Sequence, residues 1–258
     1  MRLIALLKEV PDTGTKPDIA NGQLVEDTIK WVPNPYDEYA VEEAVRVRDA
    51  NPGSELILVT VGKDRARKTM EKILAMGPDR GALIWDDALD GADSAAIATV
   101  LKAAIAKLGG ADLIFAGQQG VDFNNGLTPI FLAEQLGIPH INLVVKLEVD
   151  AAGGTITATQ EIDGGEERVS VSLPAIITAQ KGLNEPRYPS LKDIMAVKKK
   201  QLDKWGLADI DLTRGQVTSK VSVRQLVPPP PKQAGRILQG DSAIPEVIRF
   251  IKTEVGVL

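Results

Sequence analysis

The stretch DLIFAGQQGVDFNNGLTPIFLAEQLG, residues 112–137, has the pattern of a strand, a glycine-rich loop and a helix. Its apolar run at residues 113–115 is typical of a parallel strand that is buried on both faces. Three glycines then interrupt any regular element, and Thr128-Pro129 restarts the chain as a helix with Thr128 as its candidate N-cap. Gly137 suits a left-handed cap at the end of that helix.

This layout predicts unpaired backbone N–H groups at a helix N-terminus, beside the carboxyl end of a strand. The free donors and the helix dipole both favour an anion, so the loop is a candidate phosphate site. The carboxyl edge of a parallel sheet is also where such folds hold ligands. The alternative is an ordinary tight turn, since the loop matches neither GxGxxG nor GxxxxGK[ST]. The residues alone leave both interpretations open.

Composition narrows the possible classes of function. The chain has 258 residues, of which 44% are hydrophobic, enough for a sizeable core. Its formal net charge of -5 argues against a nucleic-acid binder. The chain has no cysteine, and its only histidine is His140. Disulfides, thiol nucleophiles and cysteine-ligated metal sites are therefore excluded, and we expect neither a histidine-based metal site nor a Ser-His-Asp triad.

The same sequence predicts a protein that is not membrane-embedded. No apolar run reaches spanning length, and no charged-then-apolar leader opens the chain. We therefore expect a cytoplasmic location. An organelle matrix would be the alternative if a leader had been cleaved.

The alternation of short apolar runs with helical patterns predicts an α/β fold with a mostly parallel sheet flanked by helices. The predicted parallel strands lie at residues 3–7, 56–61, 82–85 and 113–115. Three β-branched segments separated by turns then predict an antiparallel extension, at residues 141–149, 155–162 and 167–172. Residues 174–179 are expected to return to the sheet.

The helix that begins after Asn34 carries acidic residues in its first turns. Asp37, Glu38, Glu42 and Glu43 are favourable there against the helix dipole. Because no base lies nearby in the sequence, we interpret these acids as a solvated face.

The stretch GLNEPRYPSL, residues 182–191, contains two prolines and no periodicity, which predicts a loop. The prolines lower the cost of ordering it, which suits a contact surface. The alternative to a contact surface is a connecting segment that the prolines merely stiffen. A short helix with a lysine run follows at residues 192–200, and we interpret those lysines as a solvated end.

The chain loses compactness after residue 200. The four prolines at 228–231 predict an extended segment, and a final amphipathic helix follows them. We therefore divide the chain into an α/β domain, 1–200, which contains the candidate phosphate site, and an extended C-terminal arm, 201–258. A short helix on such an arm cannot bury its apolar stripe alone, so it must dock on the body of this chain or on another chain. Of these two we expect the arm to pack on a partner subunit.

Several segments together resemble the beta subunit of electron transfer flavoprotein, over nearly the full length of the chain. They are KEVPDT (8–13), NPYDEYAVEEAVRV (34–47), LAMGPDRG (74–81), EIDGG (161–165), LPAIITA (173–179) and LNEPRYPSLKDIMAVKKK (183–200). The last of these is highly specific to that family, whereas the glycine loop by itself is not.

The resemblance implies a Rossmann-like domain, similar to the adenine nucleotide alpha hydrolases, that pairs with an alpha subunit. In the family the heterodimer carries one FAD, bound mainly by the alpha subunit, and the beta subunit holds a structural AMP. Electrons from acyl-CoA and related dehydrogenases of fatty acid beta-oxidation pass through the FAD to a quinone oxidoreductase. The expected role is thus an electron carrier subunit and not an enzyme.

The resemblance also implies roles for individual residues. The AMP contacts would be Leu6, Asn34, Pro35, Tyr36, Asp37, Val61, Gly117, Gln118, Gln119, Gly120, Val121, Asp122, Phe123, Asn124, Asn125, Gly126, Leu127 and Thr128. The residues that dock dehydrogenases would be Arg187, Tyr188, Pro189, Ser190, Leu191 and Lys192, within a recognition loop of residues 183–196. Leu191 would be the apolar anchor, and Glu161 would face the alpha subunit and the flavin.

The glycine loop departs from the family pattern. Family members commonly end this loop with Asn-Gln-Thr, or with Asp-Gly-Asp-Thr in flavin-bifurcating members, whereas residues 122–128 read DFNNGLT. Asp93-Ser94 and KEVPDT favour the bifurcating type, in which a second FAD replaces AMP and NADH delivers the electrons. The intact LNEPRYPSL favours the ordinary type, which we prefer. A third possibility is a stand-alone nucleotide-binding module without a redox function. That function would not account for the proline-containing arm or for the exposed loop at residues 182–191.

Overall fold

Residues 112–137 form a buried strand, a loop and a helix, and the main sheet extends on both sides of that strand. The structure, a computed structural model, describes residues 1–231, 235, 237–240 and 243–255. The chain divides into two compact units, Met1–Gln225 and Leu226–Leu258.

The first unit is an α/β fold. In chain order its strands are β1 (Arg2–Leu6), β2 (Glu9–Pro11), β3 (Ile19–Ala20), β4 (Gln23–Leu24), β5 (Trp31–Pro33), β6 (Glu55–Val61), β7 (Arg80–Ile84), β8 (Leu113–Gly117), β9 (His140–Asp150), β10 (Thr155–Ile162), β11 (Gly165–Ser172), β12 (Ala175–Ala179) and β13 (Leu202–Trp205). Its helices are α1 (Pro35–Ala50), α2 (Ala66–Leu74), α3 (Ser94–Lys107), α4 (Thr128–Leu136) and α5 (Leu191–Ala196).

Nine of these strands form one sheet in the order β11-β10-β9-β12-β8-β1-β6-β7-β13. In this spatial order, every neighbouring pair in β9-β12-β8-β1-β6-β7-β13 is parallel. Strand β10 pairs antiparallel with both β9 and β11. At the centre, Ala5 pairs with Leu58 on one side and with Phe115 on the other. The predicted parallel sheet and its antiparallel extension are therefore confirmed.

The two faces of the sheet bury separate cores, because successive side chains of a strand point to opposite faces. Leu3, Leu58 and Phe115 pack with α1 and α2 on one face. Ile4 and Ile114 pack with α3 and α4 on the other face. The continuous apolar runs of the central strands follow from this burial on both sides.

The interpretation of the α1 acids as a solvated face is wrong for three of the four residues. Asp37, Glu42 and Glu43 are 6%, 3% and 9% exposed, respectively. They accept hydrogen bonds from parts of the chain that are remote in sequence, among them Gly117, Arg187 and Asn184. These donors explain why the carboxylates can be buried.

Two smaller expectations also need correction. Lys200 is not a solvated end, because its Nζ donates to the carbonyl oxygens of Leu74 at 2.8 Å and Pro78 at 2.6 Å, at the end of α2. Burial lowers the pKa of the Lys200 ammonium group. Thr128 is the first residue of α4 and not its N-cap, which is Leu127. The predicted left-handed cap at Gly137 is confirmed, with φ of 67°.

The first compact unit extends beyond the predicted boundary at residue 200. Strand β13 pairs with β7, so that Trp205 lies beside Ile84. Two 3₁₀ turns then place Ile210 and Val217 in the core on the α3 side. These contacts explain why the unit continues past residue 200, and it ends at Gln225.

The second unit contains α6 (Ala243–Phe250), followed by a π-helical turn at Ile251–Val255. The apolar side chains Ile244, Val247 and Ile248 of α6 are 73%, 43% and 43% exposed. That this arm packs on a partner subunit stays a prediction. No helix in the described part of the chain has the length and apolar composition needed to cross a membrane.

Candidate functional site

The carboxyl ends of three neighbouring strands meet at one edge of the sheet. Leu6, Val61 and Gly117 end β1, β6 and β8, and β1 pairs with both of the other strands. The chain proceeds from β1 to β6 and β7 and later returns to β8 on the opposite side of β1. The strand order therefore reverses between β1 and β8, and open α/β sheets bind ligands outside such a switch point.

The N-terminus of α1 lies at this edge and is tied to the glycine loop by Asn34. The Asn34 side chain is buried and makes no cap hydrogen bond to its helix. Its Nδ2 donates instead to the carbonyl oxygen of Gln119 at 2.9 Å, and its Oδ1 accepts from the Val121 N–H at 3.2 Å. The resemblance placed all three residues at one site, and the structure brings them together.

Asp37 joins the helix to two strand ends. Its Oδ2 accepts from the backbone N–H of Lys8 at 2.7 Å, and its Oδ1 accepts from that of Gly117 at 3.0 Å and from Asn34 Nδ2 at 2.9 Å. Burial raises the pKa of Asp37 to about 7, although these three hydrogen bonds act to lower it. Both carboxylate oxygens thus have partners within the chain.

The glycine loop is also fastened to the end of β1 through Lys8. The Lys8 ammonium group lies 2.6 Å from Asp122 Oδ2 and 5.3 Å from the centre of the Phe123 ring. The Asp122 side chain is only 15% exposed. The sequence reasoning did not single out Lys8 as a site residue. The available signal was a lysine that directly follows a buried strand.

The turn into α4 presents backbone donors without partners. Among the residues that the structure describes, no hydrogen bond uses the backbone N–H groups of Asn125, Gly126, Leu127 or Thr128. Asn124 and Gly126 have left-handed φ values of 52° and 61°, and the chain bends there into the helix. Free donors at a helix N-terminus suit an anionic group. The turn therefore offers the donors that the phosphate interpretation requires, and that interpretation stays a prediction.

Asp93-Ser94, which in the sequence favoured the bifurcating type, has a structural role beside this loop. Asp93 caps α3 by accepting from the Ala96 N–H at 2.9 Å, and its other oxygen accepts from the Lys220 N–H at 2.7 Å. Ser94 Oγ accepts from Asn125 Nδ2 at 3.1 Å. The hydrogen bonds that Asp93 accepts, of which the one from the Ala96 N–H has the largest effect, lower the pKa of Asp93.

The loop between β12 and α5, residues 180–190, is hydrogen-bonded to α1; we call it the docking loop after its predicted role. Arg187 donates from Nε and Nη2 to the two carboxylate oxygens of Glu42, at 2.7 Å and 3.0 Å. Asn184 Nδ2 donates to the Tyr39 carbonyl oxygen at 3.0 Å and to Glu43 Oε2 at 2.9 Å. Burial acts to raise the pKa of Glu42, but the hydrogen bonds from Arg187 bring it below its ordinary value.

The same loop presents large apolar side chains to solvent. Ser190 caps α5 in a capping box, in which its Oγ accepts from the Asp193 N–H at 3.3 Å and Asp193 Oδ2 accepts from the Ser190 N–H at 3.1 Å. Around this cap, Tyr188, Leu191 and Met195 are 98%, 81% and 73% exposed. Clustered exposure of this kind is typical of interaction surfaces.

Glu161 lies at the same edge of the sheet as the glycine loop. Its Oε2 accepts from Gln180 Nε2 at 3.1 Å, and Gln180 directly follows β12. The carbonyl oxygen of Ala179, the last residue of β12, accepts from the Gln118 N–H at 3.1 Å. Within the described ranges no group of three or more His, Cys, Asp and Glu side chains is placed to hold a metal ion.

Comparisons with known proteins decide the family. Residues 21–210 match the family model described as "Electron transfer flavoprotein domain". The chain is 39% identical over 261 residues to the electron transfer flavoprotein subunit beta of Bacillus subtilis, an alignment that covers 100% of both chains. The chain belongs to the electron transfer flavoprotein beta-subunit family.

Other relatives of this family show similar coverage. The electron transfer flavoprotein subunit beta of Syntrophomonas wolfei is 38% identical, over 91% of this chain and 88% of the relative. The Caffeyl-CoA reductase-Etf complex subunit CarD of Acetobacterium woodii is 32% identical, over 93% of this chain and 92% of the relative. The family-model match and these relatives confirm the recognition made from the sequence segments. A beta subunit of this family implies an alpha-subunit partner in electron transfer.

The structure separates the residues predicted for this family into two groups. Expected AMP contacts at the ends of β1, β6 and β8 lie at the switch point between β1 and β8, whereas the expected docking residue Arg187 is bonded to Glu42 of α1. Sequence reasoning missed Glu42, which holds Arg187 in place. The segment NPYDEYAVEEAVRV, residues 34–47, contained Glu42, but no periodicity distinguishes a buried acid on a helix from a solvated one.

Proposed function

We propose that this chain is the beta subunit of a heterodimeric electron transfer flavoprotein, in which it holds a structural AMP and docks dehydrogenases. The observation that carries this proposal is the set of unbonded backbone donors at the N-terminus of α4, beside the switch point between β1 and β8. In a member of this family, that is where a nucleotide phosphate fits.

The residues at this edge could hold a nucleotide phosphate. The backbone N–H groups of residues 125–128 would hold the phosphate, and Asn34 with Lys8 would keep the loop closed on the strand ends. Leu6 and Val61 would supply apolar contacts, because they end the neighbouring strands β1 and β6. The loop differs from the family sequence in its side chains, but backbone donors do not depend on side-chain identity.

The FAD, shared with the alpha subunit, would supply the one-electron transfer chemistry when bound. This chain would contribute no bond-making residue of its own. Its part would be to place Glu161 toward the flavin domain and to present Leu191 to acyl-CoA-type dehydrogenases. The electrons would pass on to a quinone oxidoreductase, as in fatty acid beta-oxidation, and the location would be cytoplasmic.

A bifurcating complex is the second candidate function. There the same edge would hold a second FAD in place of AMP, and the complex would oxidise NADH. Two observations favour it: Asp93-Ser94 and KEVPDT are similar to the bifurcating type, and the chain is similar to a subunit named for a caffeyl-CoA reductase–Etf complex. We prefer the AMP form because the LNEPRYPSL loop is intact and presents Leu191 to solvent.

Nucleotide extraction tests both candidates. The chain is co-expressed with its alpha subunit, the complex is denatured, and the released nucleotides are separated by chromatography and quantified. One FAD and one AMP per complex is the expected result. Two FAD and no AMP would replace the proposal by the bifurcating form, and the absence of flavin would refute a redox role.

Leu191→Ala tests the docking role. We expect slower electron uptake from a reduced acyl-CoA dehydrogenase and unchanged FAD and AMP contents, because Leu191 begins α5 and is not among the expected nucleotide contacts. Val223→Ala, which shortens another exposed apolar side chain, is the control. If the Leu191 variant loses nucleotide instead, the docking assignment is wrong.

A further inference from the structure

Glu42 is a buried carboxylate in the middle of α1 whose partners come largely from the docking loop. Its side chain is 3% exposed. Oε2 accepts from Arg187 Nε at 2.7 Å and from the Arg187 backbone N–H at 3.1 Å, and Oε1 accepts from Arg187 Nη2 at 3.0 Å. Arg46, one turn along the same helix, also donates to Oε1 at 3.0 Å.

This geometry fixes both the position and the orientation of one loop residue. A two-point bond between a guanidinium and a carboxylate constrains the plane of the arginine fork, and the backbone bond constrains the main chain at the same residue. A buried carboxylate is costly without partners, so the loop and the helix depend on each other for this contact. Asn184 adds a second attachment, to Tyr39 and Glu43 of the same helix.

The exposed apolar side chains lie just beyond these attachments. Tyr188 follows Arg187 directly, and Leu191 opens α5 after the Ser190 cap. A loop of this length that was attached only at its ends would sample many shapes. Attachment at Asn184 and Arg187 leaves few free torsions between the fixed main chain and the exposed side chains.

We propose that Glu42 is a positioning residue for docking, which holds Arg187 so that Tyr188 and Leu191 are presented in the shape that a dehydrogenase binds. This inference rests on the proposed docking function of the loop. Arg187 thus has a role within its own subunit, because its contact with α1 holds the loop in position. This role is in addition to any contact that Arg187 makes with a partner.

The fraction of molecules whose loop has the docking shape sets the apparent affinity for a dehydrogenase. The apparent dissociation constant rises in inverse proportion to that fraction. If loss of the Glu42 contact leaves about one loop in ten in the docking shape, the KM for the flavoprotein rises roughly tenfold while the limiting rate of electron uptake is unchanged.

The test compares two variants of the purified, flavin-loaded heterodimer. Glu42→Gln weakens the charge-assisted contact with Arg187, whereas Arg46→Gln removes the other donor to the same carboxylate and leaves Arg187 bonded. Hydrogen exchange of residues 184–190 is measured by mass spectrometry, and KM and limiting rate are measured with an acyl-CoA dehydrogenase reduced by its acyl-CoA substrate. Arg187→Lys, which keeps the charge but not the fork, replaces Glu42→Gln if that variant does not fold.

The expected result is faster exchange at residues 184–190 and roughly a tenfold rise in KM for Glu42→Gln, with Arg46→Gln close to wild type. Unchanged exchange in Glu42→Gln would overturn the positioning role, and so would equal effects of both variants. Leu191→Ala measured alongside separates the two proposals. If it leaves KM unchanged, the docking function itself fails, while the exchange data still decide whether Glu42 holds the loop.

Discussion

Gly117→Ala is a direct test of how the candidate nucleotide site is built. Gly117 ends β8 at a point where the first turn of α1 approaches closely. A Cβ added there would contact Asp37 Oδ1 and would lie 2.7 Å from both the carbonyl carbon and the Cβ of Tyr36. One of these atoms belongs to the main chain of the helix, so the clash cannot be relieved by a side-chain rotation alone.

The expected loss of stability combines two effects. Overpacking of this kind costs about 1–3 kcal/mol. Displacement of α1 also breaks the bond between the Gly117 N–H and Asp37, and hydrogen bonds to carboxylates are worth about 1.5–3 kcal/mol. Together they predict a loss of about 2.5–6 kcal/mol, which lowers the Tm of a chain of this size by roughly 5–20 °C.

The measurement is urea and thermal unfolding, followed by circular dichroism at one fixed protein concentration. Gly215→Ala is the matched control, because its added Cβ meets nothing within 4 Å. The control is expected to change stability by less than about 0.5 kcal/mol. If Gly117→Ala unfolds within about 1 kcal/mol of wild type, the close approach of α1 to β8 is not part of the native packing.

Three further changes test other parts of the structure. Asp93→Ala should lower the free energy of unfolding by about 1 kcal/mol through loss of the α3 cap, and Asp93→Asn should lower it by less. Because folding lowers the pKa of Asp93, this stabilisation is present near neutral pH and is lost as pH falls through the folded-state pKa. Asp37→Asn should remove a slope in the pH profile. Since burial raises the pKa of Asp37 to about 7, the folded chain keeps a proton that the unfolded chain has lost above about pH 4, and the free energy of unfolding falls as pH rises between these values. A wild-type profile parallel to that of the variant would contradict this. Deletion of residues 228–258 should weaken pairing with the alpha subunit, and an unaltered Kd would show that the arm is not part of that interface.

The sequence by itself determined the architecture of the central sheet and the family. Runs such as LIFAG in β8 are apolar on both faces, and only a parallel sheet covered by two layers of helices buries such strands. The alternation of these runs with helices then implies right-handed crossovers. The glycine loop, the end of α4 at Gly137 and the docking loop were also visible, because each depends on residues that are adjacent in the chain.

Tertiary structure alone decided what the charged residues do. Asp37, Glu42 and Lys200 look like ordinary solvated groups on a helix or at its end, yet each is held by partners far along the chain. Strand β13 likewise has little apolar character, and its place in the sheet depends on pairing with β7. The physical reason is that hydrophobic periodicity records which face of an element is buried, whereas the partner of a buried charge depends on which distant segments the fold brings together.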